Sequence, residues 1–128
     1  MTLNRTFNKT SRRSEKPGNL IGYLDGVPFY VDEYEFLLGR RPEDYIIIKD
    51  WVDNKLMPFM TRKSFNERHT SYGLKHIAEK ELGFYVSNGD IKLALMENNV
   101  PFKEYPGSPN VSYPLSQWFY KAEERQRT

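Results

Sequence analysis

Apolar residues and turn residues near the start of the chain predict a β-hairpin over residues 21–31. Two apolar stretches, 21–24 and 27–31, flank Asp25-Gly26, and Asp-Gly favours the positive φ angles of a two-residue type I′ turn. Pro28 has no N–H to donate to a ladder, so we expect its strand to lie at an edge. The residues that follow, 33–38, are compatible with a short helix.

A broader apolar pattern predicts a helix over about residues 43–56. Pro42 suits a first helical turn, and Pro58 ends the element. Helical spacing places four apolar residues on one face: Ile46, Ile47, Trp51 and Leu56. The β-branched run 45–48 is also compatible with a short buried strand.

The clearest periodicity predicts a helix over residues 70–82. Its apolar residues follow i, i+3, i+4, i+8 spacing and define one face: Leu74, Ile77, Ala78 and Leu82. Thr70 or Ser71 is the predicted N-cap, and Gly83 suits the left-handed position after the last turn.

A second helix is predicted over residues 88–99. Ser87 precedes it with Asp90 three residues later, a pattern that resembles a capping box. Its inner face is Ile91, Ala94 and Leu95, and Pro101 stops it.

Residues 102–120 are predicted to form a C-terminal hairpin. Residues 102–105 and 111–113 flank a turn rich in Pro, Gly and Asn, and residues 117–120 are interpreted as a last strand. Residues 1–19 are predicted to be a disordered basic arm, residues 20–120 a single domain and residues 121–128 a charged tail. The fold class is α+β. The order of helix, short turn, helix and hairpin predicts a small winged helix-turn-helix-like domain.

Composition narrows the class of protein. The sequence has no Cys, which excludes disulfides, a thiol nucleophile and a Cys-based zinc site. No apolar run approaches the roughly 18 residues that span a bilayer, and no secretory signal is visible. We therefore expect a cytoplasmic protein without a membrane partner.

Charge is unevenly distributed, although the net charge is only +2. Residues 55–80 contain six basic and two acidic side chains, a balance that favours contact with a polyanion. The candidate phosphate-binding residues are Arg62, Lys63, Arg68, Lys75 and Lys80. In the second helix, Asn88 and Lys92 are candidates for reading bases in the major groove of DNA. The alternative interpretation of these charges is a solvated surface.

Residues 25–53 contain eight acidic and three basic side chains and suggest a different partner. An acidic surface can compete for a basic groove that binds nucleic acid. The candidate protein-binding residues are Glu43, Asp44, Asp50, Tyr105 and Tyr113, the two tyrosines because they flank the C-terminal turn and are interface-prone. Packing within the core or hairpin is the alternative role of those tyrosines.

No pattern predicts catalysis, a metal site or a cofactor. His69 and His76 lie seven residues apart without a third ligand at suitable spacing, and the sequence contains no Walker loop, GxGxxG or HExxH motif. We expect a protein that is not an enzyme.

Two stretches carry a resemblance to a known family. Residues 68–76 read Arg-His-Thr-Ser-Tyr-Gly-Leu-Lys-His, and residues 83–89 read Gly-Phe-Tyr-Val-Ser-Asn-Gly. This pattern resembles small proteins encoded by phages and mobile elements of Gram-positive bacteria, over about residues 54–100. The resemblance implies a setting in a bacterial host cell, where small phage proteins include DNA-binding regulators and inhibitors of host defences such as anti-CRISPR proteins.

Together these observations favour a non-enzymatic, regulatory protein that binds DNA through a winged-helix-like domain. The alternative is an inhibitor that binds a host defence nuclease, or another host nucleic-acid-binding protein, by occupying its nucleic-acid groove.

Overall fold

The protein is a small α+β domain, seen here in a computed structural model that describes residues 19–127. Two β-strands open the described chain, β1 (Leu20–Leu24) and β2 (Val27–Tyr30). Four helices follow: α1 (Val31–Gly39), α2 (Pro42–Trp51), α3 (Ser71–Leu82) and α4 (Asn88–Glu97). A short ladder of β3 (Lys103–Glu104) and β4 (Val111–Ser112) precedes the last helix, α5 (Gln117–Arg127). The predicted basic arm, residues 1–19, lies outside the described residues except for its last residue.

The N-terminal hairpin is confirmed. β1 and β2 pair antiparallel from Leu24 opposite Val27 to Leu20 opposite Tyr30, with one irregularity in register near the open end. Asp25 and Gly26 have φ angles of 50° and 82°, as a type I′ turn requires. The short helix that follows is also confirmed, but it begins directly at Val31 and is longer than predicted.

The predicted helix over 43–56 is confirmed as an element, and half of its predicted buried face is confirmed. Trp51 and Leu56 are buried as expected, whereas Ile46 and Ile47 are exposed and Ile48 and Val52 are buried in their place. Residues Val52–Leu56 continue the helix as a π turn, and Met57–Phe59 close it as a 3₁₀ turn. The error lies in the regular part of the helix before this turn: three consecutive isoleucines do not show by themselves which of them faces inward, and only Ile48 does.

The helix pair α3–α4 follows the sequence closely. The Thr70 hydroxyl accepts a hydrogen bond from the Tyr72 N–H at 3.3 Å, and the Ser87 hydroxyl accepts one from the Asp90 N–H at 3.0 Å. Gly83 has a φ of 84° at the end of α3, the left-handed conformation that favours glycine. Five residues, 83–87, connect the two helices.

The C-terminal region departs from the predicted hairpin. Only two residues on each side form the ladder, Lys103 opposite Ser112 and Glu104 opposite Val111. Residues 117–120, predicted as a strand, begin α5, and residues 121–127, predicted as a separate tail, continue it. The Ser116 hydroxyl accepts a hydrogen bond from the Trp118 N–H at 3.1 Å and so caps the helix. The aromatic residues 118–120 also suit a strand, so the sequence did not reveal that a helix begins here.

One hydrophobic core joins these elements. It combines side chains from α2, α3 and α4 with the segment 111–119 and includes Trp51, Leu74, Leu95, Val111 and Phe119. The predicted inner faces are confirmed for α3 (Leu74 and Ala78 buried, Ile77 and Leu82 packed partly against the core) and for α4 (Ile91, Ala94 and Leu95 buried). No helix in residues 19–127 has the length and apolar character needed to cross a bilayer.

Candidate functional site

Four of the predicted phosphate-binding residues lie at the surface. Arg62 and Lys63 belong to the loop 61–70, Arg68 lies near the end of that loop, and Lys80 lies in the last turn of α3; all four are exposed. Arg62 Nη2 donates to Ser64 Oγ at 3.1 Å, but none of the four forms an ion pair within the described part of the chain. We call these four residues the basic surface.

The loop 61–70, which carries three of the four residues of the basic surface, is held to the core. The N–H groups of Arg62 and Asn66 donate to the carbonyls of Pro114 and Tyr113 at 3.0 and 2.9 Å, and Asn66 Nδ2 donates to the Leu115 carbonyl at 2.9 Å. The His69 ring stacks on Tyr120 of α5 at 3.8 Å between centroids. Burial, with a smaller contribution from Arg68, lowers the pKa of His69 below its ordinary value. The loop therefore presents its basic residues from a fixed backbone.

Lys75 does not belong to this surface. Its side chain is only 8% exposed, and its ammonium forms a 3.2 Å ion pair with Glu79. It also lies over the Tyr85 ring, 4.6 Å from the centroid. The expectation that Lys75 contacts phosphate is wrong, because its position on α3 turns the side chain inward against these partners.

Lys92 was also predicted to reach nucleic acid, and the structure buries it completely. Its ammonium lies 3.0 Å from both carboxylate oxygens of Glu33 and donates to the Pro109 carbonyl at 2.7 Å. Burial lowers the pKa of Lys92, and the attraction of Glu33 opposes that shift. The sequence alone did not indicate this pair. Glu33 is held in place at the start of α1, where its carboxylate accepts from the Tyr30 N–H at 3.0 Å.

Asn88 takes part in the same buried network. Its Nδ2 donates to Glu33 at 2.7 Å and to the Pro109 carbonyl at 3.2 Å. Asn88 and Lys92 therefore tie α4 to α1 and to the loop before β4. The prediction that these two residues read bases is corrected, since both are committed to contacts inside the protein.

The predicted protein-binding residues divide in the same way. Glu43 and Asp50 are exposed on α2, and Asp44 is partly covered and pairs with Arg41 at 2.9 Å. Tyr113 is 3% exposed, and its burial raises the pKa of its hydroxyl, so its predicted role in partner binding is wrong. The partly exposed Tyr105 shares a 2.9 Å hydrogen bond with Ser112 Oγ across the short ladder.

A cleft of about 470 Å³ lies between α1, α3 and the start of α4, and we call it the aromatic cleft. The tyrosine rings of Tyr72 and Tyr85 line it and are 53% and 56% exposed. Residues 68–76 and 83–89 supply half of its lining residues: Tyr72, Lys75, Tyr85, Ser87 and Asn88. The spacing of aromatic residues gave no signal for this cleft, because it forms only when residues 83–87 fold back beside α3.

A second concave surface is almost entirely apolar. It has a volume of about 350 Å³ between the hairpin and α1, and we call it the apolar groove. Tyr23 and Leu38 line it and are 54% and 59% exposed. Contiguous apolar surface that remains open to water is typical of a contact site for another molecule.

The candidate metal ligands are dispersed. His69 stacks on Tyr120, whereas the His76 Nδ1 lies 3.3 Å from Glu79. Within residues 19–127, no three His, Asp or Glu side chains come together as a metal would require.

Comparison with known proteins does not assign this chain to a family. No family model matches the chain, and no curated protein or solved structure is significantly similar to it.

Proposed function

We propose that this protein binds nucleic acid through the basic surface, Arg62, Lys63, Arg68 and Lys80. One observation carries the proposal: these four side chains are exposed, and none pairs with a carboxylate in the described residues. Unpaired cations that are open to solvent can replace the counterions of a phosphate backbone, which favours association.

The anchoring of the loop 61–70 supports this proposal. Three hydrogen bonds to residues 113–115 fix the backbone of the loop before any ligand arrives. A preorganised set of cations loses less conformational entropy on binding than a flexible one. The exposed acids of α2, Glu43 and Asp50, would repel phosphates and so restrict where a polyanion lies on the molecule.

The proposal includes a winged-helix-like domain, and the support for it is the order of the elements along the chain. Helix α3, a five-residue turn, helix α4 and the ladder of β3 and β4 follow one another as in such domains. The proposed contacts nevertheless lie on the loop before α3 and on α3 itself. Base reading by α4 is not proposed, because Lys92 and Asn88 are bound inside the protein.

The test is a pair of charge-reversal variants with the same net charge. The first is Arg62→Glu/Lys63→Glu/Arg68→Glu. The control is Arg41→Glu/Lys49→Glu/Lys55→Glu, whose positions lie directly before α2, on α2 and in its π turn. We expect the first variant to lose at least about tenfold in affinity for a labelled oligonucleotide and the control to change little. The wild-type log affinity should fall with log salt at a slope of roughly 0.7 to 0.9 for each phosphate neutralised. Equal binding by the two variants would refute the proposal.

We propose that this binding is regulatory. Its proposed setting is a bacterial host cell that carries a phage or mobile element. A second candidate is binding to a protein, such as a host defence nuclease. The apolar groove favours it, since Tyr23 and Leu38 expose apolar surface there. Absence of nucleic-acid binding even at low salt, with loss of partner binding in Glu43→Lys/Asp50→Lys, would support this candidate instead.

A further inference from the structure

We infer that the nucleic acid is bound as a single strand and that one of its unpaired bases stacks in the aromatic cleft, against Tyr72 and Tyr85. The inference rests on the proposed function and specifies the form of the ligand. Proteins that bind single strands combine basic residues along the backbone with aromatic rings on which bases stack. The arrangement around α3 supplies both.

The two rings are held in place from the protein side. The Phe36 ring meets Tyr85 edge-on at 4.9 Å between centroids, and the His76 ring meets Tyr72 edge-on at 4.5 Å. More than half of each tyrosine nevertheless remains exposed. Large rigid rings that are already oriented cost little entropy when a flat ligand stacks on them.

The Lys75 side chain lies over both rings. Its ammonium lies 4.6 Å from the Tyr85 centroid and 5.9 Å from the Tyr72 centroid. Because Glu79 pairs with that ammonium at 3.2 Å, the charge at the base of the cleft is compensated. The cleft therefore suits a neutral aromatic group, such as a base, better than a phosphate.

Polar groups at the cleft offer hydrogen bonds to the edge of a base. Asn110 lines the cleft, and its backbone N–H donates to Ser108 Oγ at 3.1 Å. Its side-chain amide has no hydrogen bond to another described residue, so the side chain offers a donor and an acceptor. Asp32 also lines the cleft, is exposed and can accept from a ring N–H or an exocyclic amino group of a base. A volume of about 470 Å³ is within the range of small-molecule sites.

The basic residues continue the path of a strand on both sides of Tyr72. Tyr72, His76 and Lys80 are exposed at i, i+4, i+8 spacing, so they form one outward stripe of α3. Arg68 lies four residues before Tyr72, near the end of the anchored loop. Phosphates on either side of the stacked base can therefore meet Arg68 at one end and Lys80 at the other.

Base pairing would oppose this mode of binding. A base in a duplex is stacked on its neighbours above and below, and its faces become available only when it leaves the stack at a cost of a few kcal/mol. A single strand has no such cost, so we expect it to bind more tightly than the same sequence in a duplex.

The experiment compares one labelled 12-nucleotide thymidine strand with its duplex by fluorescence anisotropy, at low salt and with free thymidine monophosphate as a competitor. We expect the wild type to prefer the single strand. Tyr72→Ala/Tyr85→Ala should lose at least about fivefold of that affinity for each ring, and duplex binding should stay unchanged. Tyr72→Phe/Tyr85→Phe keeps the stacking surface and should bind the single strand like the wild type.

The control is Tyr23→Ala, which removes an equally exposed ring from the N-terminal hairpin and should not change binding. Thermal melting of each variant verifies that it is folded. Preference for the duplex or an unchanged Tyr72→Ala/Tyr85→Ala variant would each overturn the inference while leaving the proposed function standing. Thymidine monophosphate binding as tightly as the strand would overturn both, because contacts to the other phosphates would then add no affinity. Binding to neither oligonucleotide would instead overturn the proposed function.

Discussion

The outward side of α3 and the enclosed helix α4 both carry charged side chains, yet the surroundings of these side chains are opposite. On α4, Asp90 and Lys92 are 1% and 0% exposed. Asp90 accepts from Arg40 at 2.6 Å, and Lys92 binds Glu33. On α3, Lys80 is exposed and has no carboxylate partner among the described residues. Lysine is therefore a buried, paired residue on α4 and an exposed residue without a carboxylate partner on the outward side of α3.

The difference arises from what packs on each helix. α4 is covered by α1, α2 and the segment before β4, whereas the side of α3 that carries Tyr72, His76 and Lys80 is open to solvent. A helix that is enclosed must pair its charges, because an isolated ion is far less stable inside a protein than in water. A lysine is thus evidence for a nucleic-acid contact only where its helix has an open face.

The largest expected effect comes from removing the ammonium of Lys92. Lys92→Met leaves the Glu33 carboxylate buried without its counterion, so we expect the free energy of unfolding to fall by about 3–5 kcal/mol. Chemical denaturation of the variant and the wild type measures the loss.

The double variant Glu33→Gln/Lys92→Met serves as its control. The glutamine keeps an acceptor for the Tyr30 N–H and carries no charge, so we expect it to recover more than half of the lost stability. A double variant as unstable as Lys92→Met would show that packing of the lysine stem, not the uncompensated charge, causes the loss.

The helix caps provide a smaller comparison. Ser87→Ala removes the acceptor for the buried Asp90 N–H, and Thr70→Ala removes the acceptor for the exposed Tyr72 N–H. We expect Ser87→Ala to destabilise the protein by about 1–2 kcal/mol and Thr70→Ala by about 0.5–1 kcal/mol. The losses differ because water can replace the lost acceptor at the exposed Tyr72 N–H but not at the buried Asp90 N–H. Chemical denaturation measures both variants. Equal losses in the free energy of unfolding would show that burial of the N–H group does not determine the strength of the cap.

Acid should destabilise the protein partly through His69. Its pKa in the folded protein lies below the ordinary value of 6.5, so between those two values the unfolded chain binds more protons. Stability should therefore fall as the pH decreases through that window. His69→Phe keeps the stacking on Tyr120 and should show a smaller fall between about pH 7 and 5 in chemical denaturation. A fall as large as that of the wild type would show that His69 does not cause it.

The smallest effect is expected from Lys80→Met, the matched partner of Lys92→Met. Since Lys80 is exposed and unpaired, the free energy of unfolding should change by less than about 0.5 kcal/mol. A loss comparable to that of Lys92→Met would break the distinction between the two helices.

Much of the fold follows from local pattern. The Asp25-Gly26 turn, the caps at Thr70 and Ser87 and the left-handed Gly83 were all predicted, because each depends on residues within four positions of one another. The strand predicted over residues 117–120 was wrong, since four aromatic and polar residues suit a strand or a helix equally well without the Ser116 cap and the burial of Phe119.

The site was predicted less well than the fold. Arg62, Lys63, Arg68 and Lys80 were identified as surface cations, but Lys75, Asn88 and Lys92 were also assigned to nucleic acid although each lies against other residues of the protein. The partner of Lys92 is 59 residues away, and spacing along the chain carries no information about such a pair.

The sequence by itself determined the hairpin, the helix limits around residues 70–98 and the inner faces of α3 and α4, because turn chemistry, capping and periodicity act over a few residues. The tertiary structure decided which charges are free and which are buried, and it brought Tyr72 and Tyr85 to one cleft. Burial depends on which elements pack together, so the same lysine can contact solvent or a buried carboxylate without any change in its neighbours along the chain.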